Sequence, residues 1–144
     1  LTVAIMSAMV VEVADRQYCV PLQSISEIVR NDPEMCHTVD GREVMRLRES
    51  VLSLVDLRPM LHPEAGDAAG RFVVVVGVGG QRAGLIVDSL VGQQEIVIKP
   101  LNEKQTQGGP FSGATIGEEG DVSLILDVVD LLRRQSAPAQ RQAA

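Results

Sequence analysis

Short apolar runs, rich in β-branched residues, alternate with polar or glycine-rich turns along most of this chain. In the second half, the pair Gly79-Gly80 separates two such runs, and a turn containing Gly120 separates another two. Apolar runs of this length with turn residues between them are typical of β-hairpins. The second half therefore predicts strands over residues 72–78, 83–87, 95–99, 114–116 and 122–126.

The first half carries the same signal more weakly. A polar turn at Asp15-Arg16 and an Asp40-Gly41 pair each lie between strand-like runs. The Asp-Gly dipeptide favours the two-residue turns that close hairpins. The predicted strands are residues 10–13, 18–21, 36–39, 43–48 and 51–57.

Three segments have a helical pattern instead. Apolar residues at 22, 25, 28 and 29 predict a short helix over residues 22–30, with Ser24 as its cap. One helical turn is predicted over residues 57–61. Residues 127–134 predict a terminal helix that begins on an acid and ends on two arginines, which suits the helix dipole.

About ten short strands in two groups, each with a small helix, predict an all-β fold made of two barrels or of one larger barrel. The 144 residues suit one domain, which we expect over residues 1–134. The loop at residues 62–71 predicts a divide between two subdomains. Composition predicts a polar, glycine-rich loop over residues 105–110 and a disordered tail over residues 135–144.

Composition and charge exclude several classes of protein. The net charge of −6 argues against nucleic acid, whose phosphates require clustered basic residues. No apolar run reaches the roughly 18 residues that a membrane-spanning helix needs, and the first residues lack the basic region of a signal peptide. We therefore expect a cytoplasmic protein with no direct membrane insertion. Cys19 and Cys36 lack metal-binding spacing and are expected to be reduced thiols.

No catalytic constellation is evident. His37 and His62 are the only histidines, and neither has a partner at metal-ligand spacing, so packed or surface roles are expected. The glycines at 77, 79 and 80 are followed by a strand rather than a helix, so a hairpin explains them better than a phosphate loop. The sequence predicts no enzyme, no cofactor and no metal, which leaves binding as the function.

Several motifs resemble one family. The segments GQQEIVIKPL and FSGATIGEEGDVSLILDV, together with SISEIVR and VLSLVDL, are similar to the CheW-like regulatory domain at the C-terminal end of the chemotaxis histidine kinase CheA. The resemblance extends from Leu1 to about Leu132. GQQEIVIKPL favours the kinase's own domain over a stand-alone CheW-type adaptor, which stays the alternative.

The resemblance implies two SH3-like five-stranded barrels packed together, with short helices. It implies a non-catalytic coupling module whose partners are a CheW-type adaptor, the cytoplasmic helical hairpin of chemoreceptors, and the upstream domains of a parent histidine autokinase. Such a domain would be recruited to membrane-associated receptor arrays. Glu49 and Ser53 depart from the family pattern, in which a glycine and a proline are common, so the turn at Glu49 is expected to differ in shape.

The predicted partner-binding residues fall into two groups. In the first half, charged side chains are expected to project from the helical segment beside a basic strand, towards a receptor helix. In the second half, an exposed hairpin and its apolar neighbours are expected to meet another barrel. The residues are Glu27, Arg30, Arg48, Leu90, Val91, Gly92, Gln93 and Gln94.

Two other classes of function remain open from the residues alone. Arg42, Arg46 and Arg48 alternate along a strand, with Arg58 expected nearby, which would suit an oligonucleotide- or peptide-binding barrel unrelated to chemotaxis. A hydrolase with a cryptic site has no support beyond Ser112 and the two histidines. The negative net charge of the chain weighs against the oligonucleotide- or peptide-binding barrel.

Overall fold

A computed structural model of the chain describes residues 4–66, 70–100, 109–117 and 120–136. Twelve strands and two α-helices lie within these ranges. The strands are β1 (Ile5–Val13), β2 (Arg16–Pro21), β3 (Ile25–Arg30), β4 (Cys36–Val39), β5 (Arg42–Leu47), β6 (Ser50–Asp56), β7 (Phe72–Val78), β8 (Gln81–Val87), β9 (Ser89–Val97), β10 (Lys99–Pro100), β11 (Phe111–Ile116) and β12 (Val122–Leu126). The helices are α1 (Leu57–Leu61) and α2 (Val128–Ser136).

The helix predicted over residues 22–30 is wrong. Only Leu22–Ser24 forms a single 3₁₀ turn, and the rest is strand β3, so Ser24 caps no α-helix. β3 pairs antiparallel with β7, with Ile28 opposite Val74. Its three β-branched residues fit a pleated, half-buried surface, and this pairing outweighs the short helical spacing. The disordered tail and most of the 105–110 loop lie outside the described residues.

The strands form two sheets of six. Sheet 1 has the order β10-β11-β12-β2-β1-β9, and sheet 2 has the order β3-β7-β8-β6-β5-β4. Each sheet contains one parallel pair, β2 with β12 and β6 with β8, and its other pairs are antiparallel. The loop at residues 62–71 joins two strands of sheet 2, so the sheets do not separate there. Each sheet instead takes strands from both halves of the chain.

Alternation along the strands creates three apolar clusters. On β7, Val74 and Val76 point into a central cluster shared by both sheets, whereas Val73 and Val75 point into a cluster of sheet 2 alone. A third cluster, which includes Cys19, belongs to sheet 1 alone. Helix α2 contributes to the shared cluster. Each sheet thus has its own core, and both sheets also cover a common one. The architecture is therefore all-β with two packed units, which confirms the predicted SH3-like fold class.

A β-bulge in β9 determines which face its side chains occupy. Val10 pairs with Gly92 and Val11 pairs with Leu90, so Val91 is an extra residue in β9. Without it, Leu90 and Ile96 would lie on the same face, since they are six residues apart. With it, Leu90 packs against the shared cluster and Ile96 against the core of sheet 1.

Candidate partner-binding surfaces

The predicted binding residues lie on two separate strands and in one turn. Glu27 and Arg30 belong to β3 in sheet 2, and Arg48 follows β5 in a turn. The other five belong to β9, which is an edge strand of sheet 1. The hairpin expected around Gly92, Gln93 and Gln94 is wrong, because β9 runs without a turn from Ser89 to Val97. Gly92 accommodates the bulge there, at a φ of 150°.

Glu27 and Arg48 form a bidentate ion pair. Nη1 of Arg48 lies 2.9 Å from Oε2 of Glu27, and Nη2 lies 2.8 Å from Oε1. Arg48 is itself in the left-handed region, at a φ of 57°, whereas Glu49 is not. The left-handed position of this turn is therefore occupied by Arg48, the residue before Glu49.

The arginine row of the first half does not form one continuous surface. Arg42 and Arg46 lie on the outer face of β5, alternating with the buried Met45 and Leu47. Arg48 instead turns towards Glu27 from the turn after β5. Arg58 lies in α1 and is held by another carboxylate, as described below. Arg30 is exposed at the end of β3, opposite Phe72.

β9 offers an exposed strand with apolar and amide side chains. Val91 is 44% exposed, and Gln93 and Gln94 are exposed beyond it. Leu90 is different, because it is half-buried against the shared cluster. In the register with β1, Val97 lies opposite Ile5, and both are exposed. β9 therefore presents apolar surface at both ends with polar residues between them.

A carboxylate that the sequence analysis missed ties the two sheets together. Asp88 lies where the chain passes from β8 in sheet 2 to β9 in sheet 1. Its Oδ2 accepts a hydrogen bond of 2.7 Å from the backbone N–H of Ala14 and one of 2.8 Å from Nη1 of Arg58. Ala14 is left-handed, at a φ of 52°, in the turn between β1 and β2. Asp88 thus links a turn of sheet 1 to helix α1, which follows strand β6 of sheet 2.

A second polar contact crosses between the same two units. The hydroxyl of Tyr18 lies 2.6 Å from Nε2 of His62, and the ring of Tyr18 stacks on Phe111. Burial raises the pKa of the Tyr18 hydroxyl, so the phenol stays protonated. His62 is therefore a packed histidine. In the described part of the chain, no group of three or more His, Cys, Asp or Glu residues could hold a metal ion.

Both cysteines are free thiols. Cys19 is buried in the cluster of sheet 1, and burial raises its pKa to about 11. Cys36 is partly buried, and its Sγ donates a hydrogen bond to Oδ1 of Asn31 at 3.3 Å. A raised pKa disfavours the thiolate, which is the nucleophilic form, so neither cysteine is an activated nucleophile.

Two packed β-sheet units with exposed edges define a β-barrel module of the kind that presents surfaces to other proteins. A family model described as CheW-like domain matches residues 7–136. The chain belongs to the CheW-like domain family. Within the part of the chain that the structure describes, no helix combines the length and hydrophobicity needed to span a bilayer.

Individual relatives show which members of this family the chain resembles. The chain is 42% identical over 132 residues to "Sensor histidine kinase CheAY" of Helicobacter pylori, covering 89% of this chain and 16% of that protein. It is 36% identical over 135 residues to "Chemotaxis protein CheA" of Treponema pallidum, covering 92% of this chain and 17% of that protein. The chain thus spans about one sixth of the length of these relatives.

A solved structure supports the fold. The crystal structure of scaffolding protein TtCheW from Thermoanaerobacter tengcongensis superposes with a TM-score of 0.70. The match covers 85% of this chain and 84% of that one, at 19% identity. At this identity the likeness establishes a common arrangement of strands.

Proposed function

We propose that this chain is the regulatory coupling domain of a CheA-type chemotaxis histidine kinase. The supporting observation is that 89–92% of the chain matches CheA proteins at 36–42% identity while spanning only about a sixth of their length. The domain itself is a non-catalytic module. The parent protein is an autokinase that works in the cytoplasm at membrane-associated receptor arrays, where this domain meets a CheW-type adaptor, chemoreceptor hairpins and the upstream kinase domains.

β9 is the surface that we assign to the adaptor. It is an edge strand, and an edge offers backbone hydrogen bonds to a second barrel. Val91 supplies exposed apolar area, and Gln93 and Gln94 supply uncharged hydrogen-bonding groups that cost less to desolvate than charges. Gly92 leaves the backbone uncovered between them. Leu90 supports this surface from beneath, since it packs into the shared core.

β3 and the turn after β5 form the surface that we assign to the receptor. Arg48 is 71% exposed although it is paired, so one side of its guanidinium remains open to a carboxylate on a receptor helix. Arg30 is a second exposed cation, at the end of the strand that carries Glu27. Glu27 holds Arg48 in a defined direction, which reduces the entropy cost of binding.

The experiment compares two exposed valines. Binding of the chain to the CheW-type adaptor of the same organism is measured by calorimetry for Val91→Arg and for the control Val78→Arg. Val78 lies at the β7–β8 hairpin and is 41% exposed, close to the 44% of Val91. We expect Val91→Arg to weaken binding at least tenfold and Val78→Arg to leave it unchanged.

Two results would contradict different parts of the proposal. If the wild-type chain binds neither the adaptor nor receptor hairpins, the assignment to a chemotaxis kinase is wrong. If it binds but both valine variants behave alike, only the assignment of β9 is wrong. A stand-alone adaptor is the competing function; a kinase domain encoded upstream in the same gene would exclude it.

A further inference from the structure

Sheet 1 opens between two of its neighbouring strands. The parallel pairing of β2 with β12 covers only Tyr18 with Leu124 and Cys19 with Ile125. On the N-terminal side of these pairs, Gln17 pairs only with β1, and Val122 pairs only with β11. The ladder between the two strands is absent there, and residues of both strands line an open groove of about 370 Å³, which we call the β2–β12 groove.

The walls of the groove are suited to an extended chain. Each side is the inner edge of a strand whose ladder to the other strand has ended, so an added segment extends hydrogen bonding that is already in place. Strand addition of this kind derives its affinity from main-chain hydrogen bonds and its specificity from alternate side chains. The volume lies within the range of ordinary ligand pockets, which suits a segment of a few residues.

The charge of the groove selects the chemistry of its occupant. Among the residues that the structure describes, Glu12, Asp15 and Asp121 line it together with one cation, Arg16. Glu12 accepts a hydrogen bond from Ser89, whereas Asp15 and Asp121 make no ion pair with any residue that the structure describes. An excess of carboxylates favours a basic segment, because opposite charges steer association and like charges oppose it.

The rim of the groove adds exposed apolar side chains, and the turn beside it has a backbone held in place by a hydrogen bond. Val122 is 63% exposed and lies opposite Ile116, which is 49% exposed. Asp15 follows Ala14 in a left-handed turn whose N–H is held by Asp88, so its carboxylate is presented from a fixed backbone. Alternating basic and apolar side chains on a strand point to opposite faces and would meet these two kinds of surface separately.

We propose that the β2–β12 groove is a second interaction site, which binds an extended, basic segment of a partner protein by strand addition. The site is separate from the β9 surface and does not depend on the chemotaxis assignment.

The test uses defined peptides. The ¹⁵N-labelled chain is titrated with the capped peptide Lys-Val-Lys-Val-Lys, and amide shifts are followed by NMR. We expect saturable shifts concentrated at residues 15–18 and 121–124. The acidic peptide Glu-Val-Glu-Val-Glu and the peptide Lys-Pro-Lys-Val-Lys, whose proline removes a donor while all three lysines remain, are expected to bind at least tenfold more weakly.

Variants of the chain distinguish binding in the groove from general electrostatic attraction to an acidic protein. The double substitution Asp15→Asn and Asp121→Asn should weaken binding of the basic peptide at least tenfold. The double substitution Asp40→Asn and Glu49→Gln is the matched control, because it removes the same charge from two exposed turn residues that lie outside the groove. Absence of shifts, equal binding of the proline or acidic peptide, or equal effects of the variants would each overturn the proposal.

Discussion

Arg48 binds both carboxylate oxygens of Glu27 and so joins the turn after β5 to strand β3, 21 residues away in sequence. The side chain of Arg48 is 71% exposed, whereas that of Glu27 is 24% exposed. Exposed ion pairs contribute only about 0.2–1 kcal/mol, since water and salt screen them. The pair therefore orients charge at the surface more than it stabilises the fold.

Reversing one charge of this pair is predicted to affect coupling more than stability. Arg48→Glu should lower the free energy of unfolding by no more than about 1 kcal/mol in urea denaturation, because the pair is exposed and screened by solvent. Receptor-dependent stimulation of the kinase should fall several-fold, because a receptor carboxylate would then meet a like charge. The swap Glu27→Arg with Arg48→Glu restores the ion pair and serves as the control. If the swap also restores coupling, the receptor does not recognise Arg48 itself.

Removing the carboxylate of Asp88 is predicted to loosen the junction of the two sheets. Asp88→Ala deletes both hydrogen bonds of this carboxylate, one of them an ion pair with Arg58, and leaves the N–H of Ala14 without its partner. A loss of about 1–3 kcal/mol in the free energy of unfolding is expected from such deletions.

Two comparisons check the cause of that loss. Asp121→Ala removes an exposed carboxylate for which the structure records no hydrogen bond, at a residue without a positive φ, and should cost less than Asp88→Ala. Ala14→Gly in the Asp88→Ala background should recover part of the loss, because glycine adopts a positive φ without strain. Equal losses for Asp88→Ala and Asp121→Ala would contradict the role given to the Asp88 carboxylate.

Local turn chemistry made most of the hairpins predictable. Gly79-Gly80 and Asp40-Gly41 both occupy left-handed turns, as their sequence signals indicate. β3 was not predictable, because its apolar spacing fits a helix as well as a strand. Only its pairing with β7 selects the strand. The ion pair of Arg48 with Glu27 and the contact of Asp88 with Ala14 join residues 21 and 74 positions apart. Sequence periodicity carries no information on such contacts.

Adding a methyl group at Gly84 is predicted to disrupt the core of sheet 2. A Cβ there would lie 2.5 Å from Cγ1 of Val73 and 2.9 Å from Cδ2 of Leu54, both buried side chains. Overpacking of this kind costs about 1–3 kcal/mol, so thermal denaturation of Gly84→Ala should show a clear loss of stability. Gly117→Ala is the control, because its nearest atom would be 3.8 Å away. Similar melting temperatures for the two variants would contradict the packing described for β8.

Burial of Cys19 predicts a dependence of stability on alkaline pH. Burial raises the pKa of this thiol from 9.0 to about 11, so between these values the unfolded chain loses the proton while the folded chain keeps it. The stability that depends on the protonated thiol of Cys19 is therefore fully present below pH 9. It is lost as the pH rises towards 11, so the free energy of unfolding falls over this range. Urea denaturation across this range should give a steeper decline for the wild type than for Cys19→Ala, whatever the absolute stability of the variant. Identical slopes would show that the thiol of Cys19 ionises equally well in the folded and unfolded chains.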